Sequence, residues 1–303
     1  MGYRGPVALA GGHATLAAHR RRIANDRRPI HAPHPLAAAA TALATLAPMA
    51  ALSAPCITST GEFETYKANF ARDAQAAGVG QRGLAALQAA RLSDITWRFE
   101  SRPSSQSGTL QGDPAQFLAK RSNSTAQAFI SQVQSRKDRN AALFQAIEQR
   151  YGVPGSILAT IWGLETSWGG YTGGTPIVDG AITLASYCRR HPRFESHAVA
   201  ALQMADRGII SNGTRGGPSG ELGHMQFLAG NWLRFGVDGN GDGRADPYNA
   251  TDALASAANM LRANGWRAGQ PFGQGTANFR VLSAWNDSGN YQRAIAYAAE
   301  RVN

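Results

Sequence analysis

The sequence predicts a mainly α-helical fold, and three observations carry that prediction. Apolar side chains recur at helical spacing, as in the stripe Ile157, Ile161, Leu164 and Trp168 and in the earlier set Phe63, Tyr66 and Phe70. Glycines stand just beyond such stretches, at Gly169-Gly170, Gly208 and Gly265, where they end helices. Pro154 precedes the first stripe and suits a first helical turn, where a missing N–H does no harm.

The chain has 303 residues, enough for one large domain or two modest ones, and its hydrophobic content of 43% is ordinary for a globular protein. Residues 20–54 read as a targeting segment. Arg20, Arg21, Arg22, Arg27 and Arg28 precede an apolar run from Leu36 to Leu52, and the small residues Ser53 and Ala54 follow. Cleavage is expected after Ala54, with the mature domain spanning 55–303. The basic region is unusually long, which points to a start downstream of Met1. Pro48 interrupts the apolar run, so no permanent membrane span is expected in the mature protein. Pro55 precedes Cys56 where a lipoprotein signal wants a small residue, which argues against lipidation. Cys56 and Cys188 are the only cysteines, and an even count in an exported chain favours a Cys56–Cys188 disulfide. In a cytoplasmic protein the same pair would be free thiols.

Gly61 to Ala90 reads as two helices interrupted between Gly78 and Gly83. Residues 101–114 are rich in Ser, Gly, Gln and Pro and read as a loop. Helices resume near Thr125 and from Asn140 to Arg150, with Leu143, Phe144 and Ile147 facing inward. Asp179 suits the N-cap of a helix from Gly180 to Tyr187, with a second catalytic carboxylate as its rival role. Arg189, Arg190 and Arg193 form a basic turn. Further helices are expected over Phe194–Arg207, Thr251–Asn264 and Tyr291–Val302, with a Gly-rich loop from Ser211 to Ser219. The chain shows no internal repeat.

Glu165 is the candidate for chemistry. It and Asp179 are the only charged residues between Tyr151 and Cys188, and Glu165 falls in the last turn of an apolar helix. Desolvation and the negative end of the helix dipole both raise a carboxyl pKa there. A carboxylic acid still protonated near neutral pH is what a general acid requires. A glutamate at a helix end is more often exposed and inert, so its neighbours decide the matter.

A second pattern runs from Asp238 to Arg244, DGNGDGR, the first half of a calcium loop. Asp238, Asn240 and Asp242 supply oxygens at positions 1, 3 and 5, Gly243 permits the turn at 6, and the Arg244 carbonyl serves at 7. Position 12 is Asn249 rather than the usual glutamate. The bland reading is a flexible Asp/Gly turn.

The string Gly163-Leu164-Glu165-Thr166-Ser167-Trp168-Gly169 resembles the catalytic motif of the lytic murein transglycosylase B family. Three later stretches are similar to that family in the same order: Gly220 to Phe227, the loop Asp238 to Asp252, and Trp285-Asn286-Asp287-Ser288. The resemblance covers roughly residues 56–303 and is densest from Tyr151 onward. It implies a lysozyme-like catalytic core from about residue 140, an additional N-terminal helical lobe and an EF-hand-like loop. It implies cleavage of peptidoglycan between N-acetylmuramic acid and N-acetylglucosamine without water; the targeting segment places the protein in the periplasm, and a monomer with no organic cofactor is expected. Glu165 is then the single acid/base, Gln226, Trp285 and Asn286 line the sugar groove, and Arg189 and Arg190 face substrate. Asp252 closes the metal loop, with structural Ca2+ as its ion and Asp246 assisting through water. Relatives often carry Tyr where Met260 stands, which removes or replaces one sugar contact.

The charge is compatible with that partner. Of the net +10, residues 1–54 carry +5, leaving a moderately basic body suited to an anionic polymer. No dense basic stripe interleaved with aromatics appears, which disfavours nucleic acid. Rival readings are a muramidase using Glu165 and Asp179, a non-catalytic wall-binding protein, and a calcium-regulated interaction protein.

Overall fold

A computed structural model describes residues 53–102 and 112–302. The described residues form thirteen α-helices and one two-stranded antiparallel ribbon. The first helices are α1 (Phe63–Ala76), α2 (Gln81–Ala89), α3 (Asp94–Ser101), α4 (Pro114–Ser122), α5 (Ala126–Arg139) and α6 (Ala141–Tyr151). Then come α7 (Gly155–Thr166), α8 (Ile177–Ser186), α9 (Glu195–Asp206) and α10 (Ala229–Phe235). The chain ends with α11 (Ala250–Ala263), α12 (Ala277–Val281) and α13 (Gly289–Ala299). Strands β1 (Thr175–Pro176) and β2 (Arg215–Gly216) pair within the loops flanking α8 and α9.

The fold is built around α7. Every other residue of this helix is buried, and Glu165 is partly buried, opening on a cavity. A helix apolar all round belongs in the middle of a core rather than on its surface. Helices α4, α5, α6, α11 and α13 pack around it. Ile157, Leu158 and Ile161 have no exposed surface, and each such side chain contributes about 1.5–3 kcal/mol through burial. A second group gathers α1, α2, α3 and α9 around α8, and α10 links α9 to α11.

Local chemistry explains several helix ends. Thr125 caps α5 through Ala128 N, and Asp113 caps α4 through Ala115 N with Pro114 in the first turn. The end of α7 differs from expectation. The helix stops at Thr166, and Ser167 and Trp168 take left-handed φ values of 51° and 59°. Trp168 is therefore not part of the helical stripe. Its ring folds back, donates from Nε1 to the Ala159 carbonyl at 2.9 Å and stacks on Phe129. Gly163 permits this, because a Cβ there would lie 2.5 Å from the Trp168 ring. The indole supplies the stop before the glycine pair is reached.

Three further expectations are corrected. Asp179 is not an N-cap: α8 begins at Ile177 after Pro176, so Asp179 sits inside its first turn. Helix α3 and strand β2 were not foreseen, and β2 occupies the centre of the Ser211–Ser219 loop. The loop expected over 101–114 gives way to α4 at Pro114, while residues 103–111 lie outside the described residues. The targeting segment also lies outside them, apart from Ser53 and Ala54.

Cys56 and Cys188 form a disulfide with a Cα–Cα distance of 4.9 Å. The adjoining backbone reinforces it: Ile57 N donates to the Ser186 carbonyl, and Cys188 N to the Ile57 carbonyl.

Candidate active site

Glu165 emerges from the last turn of α7 into a cleft. Two cavities, of about 380 and 750 Å³, adjoin there and share Arg121, Glu165, Gln226 and Pro218. The carboxyl thus stands where a chain molecule threading both cavities would pass. Both described donors to Glu165 come from the C-terminal end of the chain and fall on one oxygen. Trp285 Nε1 donates to Oε1 at 3.0 Å, and the Tyr291 hydroxyl donates to the same Oε1 at 2.6 Å. Oε2 accepts no hydrogen bond among those described, so it is the oxygen left open to carry a proton. Burial raises the carboxyl pKa, opposed by the hydrogen bonds from Tyr291 and Trp285 and by the Arg121 charge. Burial and the facing Glu165 charge push the Tyr291 hydroxyl well above its ordinary range, so it remains a donor.

The predicted groove residues divide. Trp285 lines the first cavity and packs edge-on against Phe227. Asn286 lines it too, with Oδ1 turned to Ser288 N. Gln226 faces both cavities from a tight turn, Leu222 to Phe227, whose ends exchange backbone hydrogen bonds. It holds a left-handed φ of 48°, costly for a non-glycine residue. Gln226 Nε2 is committed to the Thr172 and Gly223 carbonyls, so its amide oxygen is the part offered to a ligand. Gly223 is obligatory in this turn, since a Cβ would lie 1.9 Å from the Pro247 carbonyl. Met260 lines the first cavity.

The arginine expectation is corrected in part. Arg189 Nη2 donates to the Glu100 carboxylate and carbonyl, each at 2.6 Å. Arg190 donates to both oxygens of the same carboxylate. The Glu100 side chain is 2% exposed, so the two guanidinium groups answer a buried charge that needs them. Arg190 still borders the cleft, whereas Arg189 is not among the residues that line it.

Several cleft residues escaped the sequence reading. Tyr291 lies 126 positions from the glutamate it touches. Arg121, in the last turn of α4, lines both cavities. Glu221 lines the first cavity, accepts from Ser219 N, and is held protonated more readily by burial. It stood inside a matched motif, so its carboxyl was the available signal. Asp179 lines the second cavity. Burial raises its pKa, offset by the Arg91 backbone N–H that Oδ1 accepts at 3.1 Å.

The Asp238–Asp252 loop closes on its own amides. Asp238 accepts from Gly241, Asp242 and Gly243, which holds its carboxyl below the usual range, Gly243 first. Asn240 Oδ1 accepts from Asp242 N, and Asp242 Oδ1 accepts from Arg244 N. Asp252 is fully buried in the first turn of α11 and accepts from Gly239, Asn240 and Asp246. Asn249, at position 12, caps α11 instead of facing a loop centre. Among the described residues no group of three acidic, His or Cys side chains gathers as a metal cluster. The EF-hand-like geometry is therefore not seen, although carboxylate, amide and carbonyl oxygens on a Gly-rich turn are the donors a hard cation takes.

Fold and site together place this protein in the lysozyme-like helical class, with Glu165 at the junction of two cavities that Glu221 and Asp179 also line. The chain belongs to the transglycosylase SLT domain family, whose profile matches residues 62–275. Over 123 residues it is 37% identical to membrane-bound lytic murein transglycosylase B of Escherichia coli K12, a match covering 40% of this chain and 34% of that protein. The matched region is thus about a third of that relative's length. Its fold is similar to that of SltB3 from Pseudomonas aeruginosa, determined in complex with NAG-NAM-pentapeptide. The TM-score is 0.67 and identity 23%, over 78% of this chain and 79% of that one. It is also similar to the lytic transglycosylase Slt35 of Escherichia coli, determined in complex with calcium. There the TM-score is 0.64 and identity 21%, over 78% and 91% of the two chains.

Proposed function

We propose that this protein cleaves peptidoglycan as a lytic transglycosylase, at the bond between N-acetylmuramic acid and N-acetylglucosamine. The observation that carries the reading is the setting of Glu165, a carboxyl of raised pKa held at Oε1 by Trp285 and Tyr291 at the junction of two cavities. Oε2 donates its proton to the glycosidic oxygen as that bond breaks. The substrate's acetamido group stabilises the cation at C1. The Glu165 carboxylate, stabilised by the two Oε1 donors, then takes the proton from the C6 hydroxyl as that oxygen attacks C1. The product carries a 1,6-anhydro end. One carboxyl serves both steps because its protonation alternates.

Gln226, through its amide oxygen, Trp285, Asn286 and Arg190 are read as glycan contacts, and Arg121 as a cation for acidic substituents. The family relationship and the NAG-NAM-pentapeptide complex of SltB3 support this substrate class. Residues 55–303 act as one catalytic domain, monomeric and without organic cofactor. Export to the periplasm is supported by the basic-then-apolar segment before residue 55. No helix among the described residues is long and apolar enough to cross a membrane. Structural calcium would be held by Asp238, Asn240, Asp242, the Arg244 carbonyl and Asp252, a reading supported by the donor set and by the Slt35 complex. It supplies loop rigidity and no chemistry. A hydrolytic second reading is favoured by Asp179, which shares the second cavity with Glu165. Release of soluble fragments from purified sacculi tests the proposal. Activity in the unaltered protein and none in Glu165→Gln is expected, and equal activity in both refutes it.

A further inference from the structure

The first described residues occupy a polar seat away from the cleft. Ala54 is 2% exposed, and its backbone N–H donates to Asp73 Oδ2 on α1 at 2.8 Å. Beside it the Ser53 hydroxyl donates to Glu195 Oε2 at 2.7 Å and lies 3.4 Å from His191 Nε2. His191 Nδ1 lies 3.3 Å from Glu195 Oε1. The Tyr66 hydroxyl is buried with no hydrogen-bond partner among the described residues. Burial, and then the charges of Glu195 and Asp73, push its ionisation up, so it lies within the field of both carboxylates. Asp73 thus faces the Ala54 amide and Glu195 the neighbouring Ser53 hydroxyl, and His191 is the single basic side chain in these contacts. Half-buried carboxylates are stabilised by a facing cation, and a neutral amide supplies none.

We propose that the mature protein begins at Ala54, and that the α-ammonium group released there docks on Asp73 in this seat. The proposal rests on the export reading above and moves the expected cut back by one residue. Water adds to the Ser53 carbonyl carbon under a signal-peptide endopeptidase. The C–N bond to Ala54 breaks, Ser53 leaves as a carboxylate, and the Ala54 nitrogen keeps the electron pair and is protonated. Ala51 and Ser53 place small residues third and first before this bond, the pattern such an enzyme reads. The next bond, Ala54–Pro55, is an imide without an N–H, and its ring restricts the residue before it. An enzyme that grips an extended chain by its amides loses a contact there.

Cleavage converts one N–H donor into three and gives the seat a positive charge. Departure of Ser53 also frees Glu195 Oε2, and the Tyr66 oxygen is a further acceptor. The new end is held in place by the Cys56–Cys188 disulfide and the Ile57–Tyr187 bridge, which offset the usual fraying of a terminus.

The test expresses the full chain in a bacterial host and reads intact mass and N-terminal sequence from the periplasmic fraction. A species starting Ala-Pro-Cys is expected. A periplasmic species with any other first residue overturns the proposal and leaves export standing. An uncut chain confined to the cytoplasm overturns both. The seat is tested separately, on the mature protein and its Asp73→Asn variant, each with the α-amine free or selectively acetylated. Acetylation restores the neutral amide of the precursor. It is expected to lower the Tm by about 2–4 °C in the unaltered background and to have no effect in Asp73→Asn. Equal shifts in both backgrounds, or none in either, remove Asp73 from the role.

Discussion

Replacing Tyr291 with Phe removes one O–H group and almost nothing else, which makes it a sharp probe of how Glu165 works. The hydroxyl donates to Glu165 Oε1 at 2.6 Å, and that bond opposes the rise in pKa caused by burial. A hydrogen bond to a charged acceptor is worth about 1.5–3 kcal/mol, against about 0.5–1.5 kcal/mol for a neutral one. The difference, ~1–1.5 kcal/mol, is what separates the two protonation states. Tyr291→Phe should therefore move the Glu165 pKa further up. The general acid is competent below its pKa, so the alkaline edge of the pH–rate profile should shift upward with it. The carboxylate formed during the reaction loses a donor as well, so kcat at neutral pH should fall by ~10-fold. The assay is the rate of fragment release from purified sacculi across pH for both proteins. An alkaline edge that stays put or moves down would refute the assignment of Tyr291 as a donor to the carboxyl proposed as the acid/base.

Other outcomes follow from the same structure. Glu165→Gln should raise the Tm at neutral pH. The folded-state pKa is raised, so the folded protein holds a proton the unfolded chain releases, and stability falls as pH climbs from the unfolded pKa to the folded one. Calorimetry across pH should show that fall in the unaltered protein and its absence in the variant. Replacing both cysteines with Ser opens a loop of 132 residues in sequence separation. Loop-closure entropy sets an upper limit of ~5 kcal/mol on the loss, measured by denaturant unfolding. Glu100→Gln removes the carboxylate shared by Arg189 and Arg190 and should lower the Tm, read by calorimetry. Both arginines are more than a third exposed, which screens the loss to about 1–3 kcal/mol. Calcium added to chelator-stripped protein should raise the Tm, by about 2.7 kcal/mol of stability at 100 times Kd. No shift would count against a metal role for the Asp238–Asp252 loop.

What the sequence discloses is governed by locality. The desolvation of Glu165 was legible because its neighbours in the chain are also its neighbours in the helix, and a mostly apolar run surrounds this one acid. The helix end was legible only approximately, since the feature that stops it is an indole bonding back to Ala159 rather than the glycine pair. Helix α3 was missed because it follows α2 with few turn residues to mark it. Arg121 and Tyr291 were invisible for a different reason. Their roles exist only because α4 and α13 pack against each other beside α7, and pairing across 126 residues leaves no local pattern. Arg189 shows the converse case, while Arg190 keeps a place on the cleft wall. A basic turn looks available to substrate until the fold reveals a buried carboxylate at Glu100 that already engages it.

The central claim concerns what happens to the glycosidic bond, and product mass addresses it most directly. Purified peptidoglycan digested with residues 54–303 should yield muropeptides ending in 1,6-anhydro-N-acetylmuramic acid, lighter by one water than hydrolytic products. No such ends should appear with Glu165→Gln. Reducing, hydrated ends would contradict the account and transfer the second carboxylate's role to Asp179.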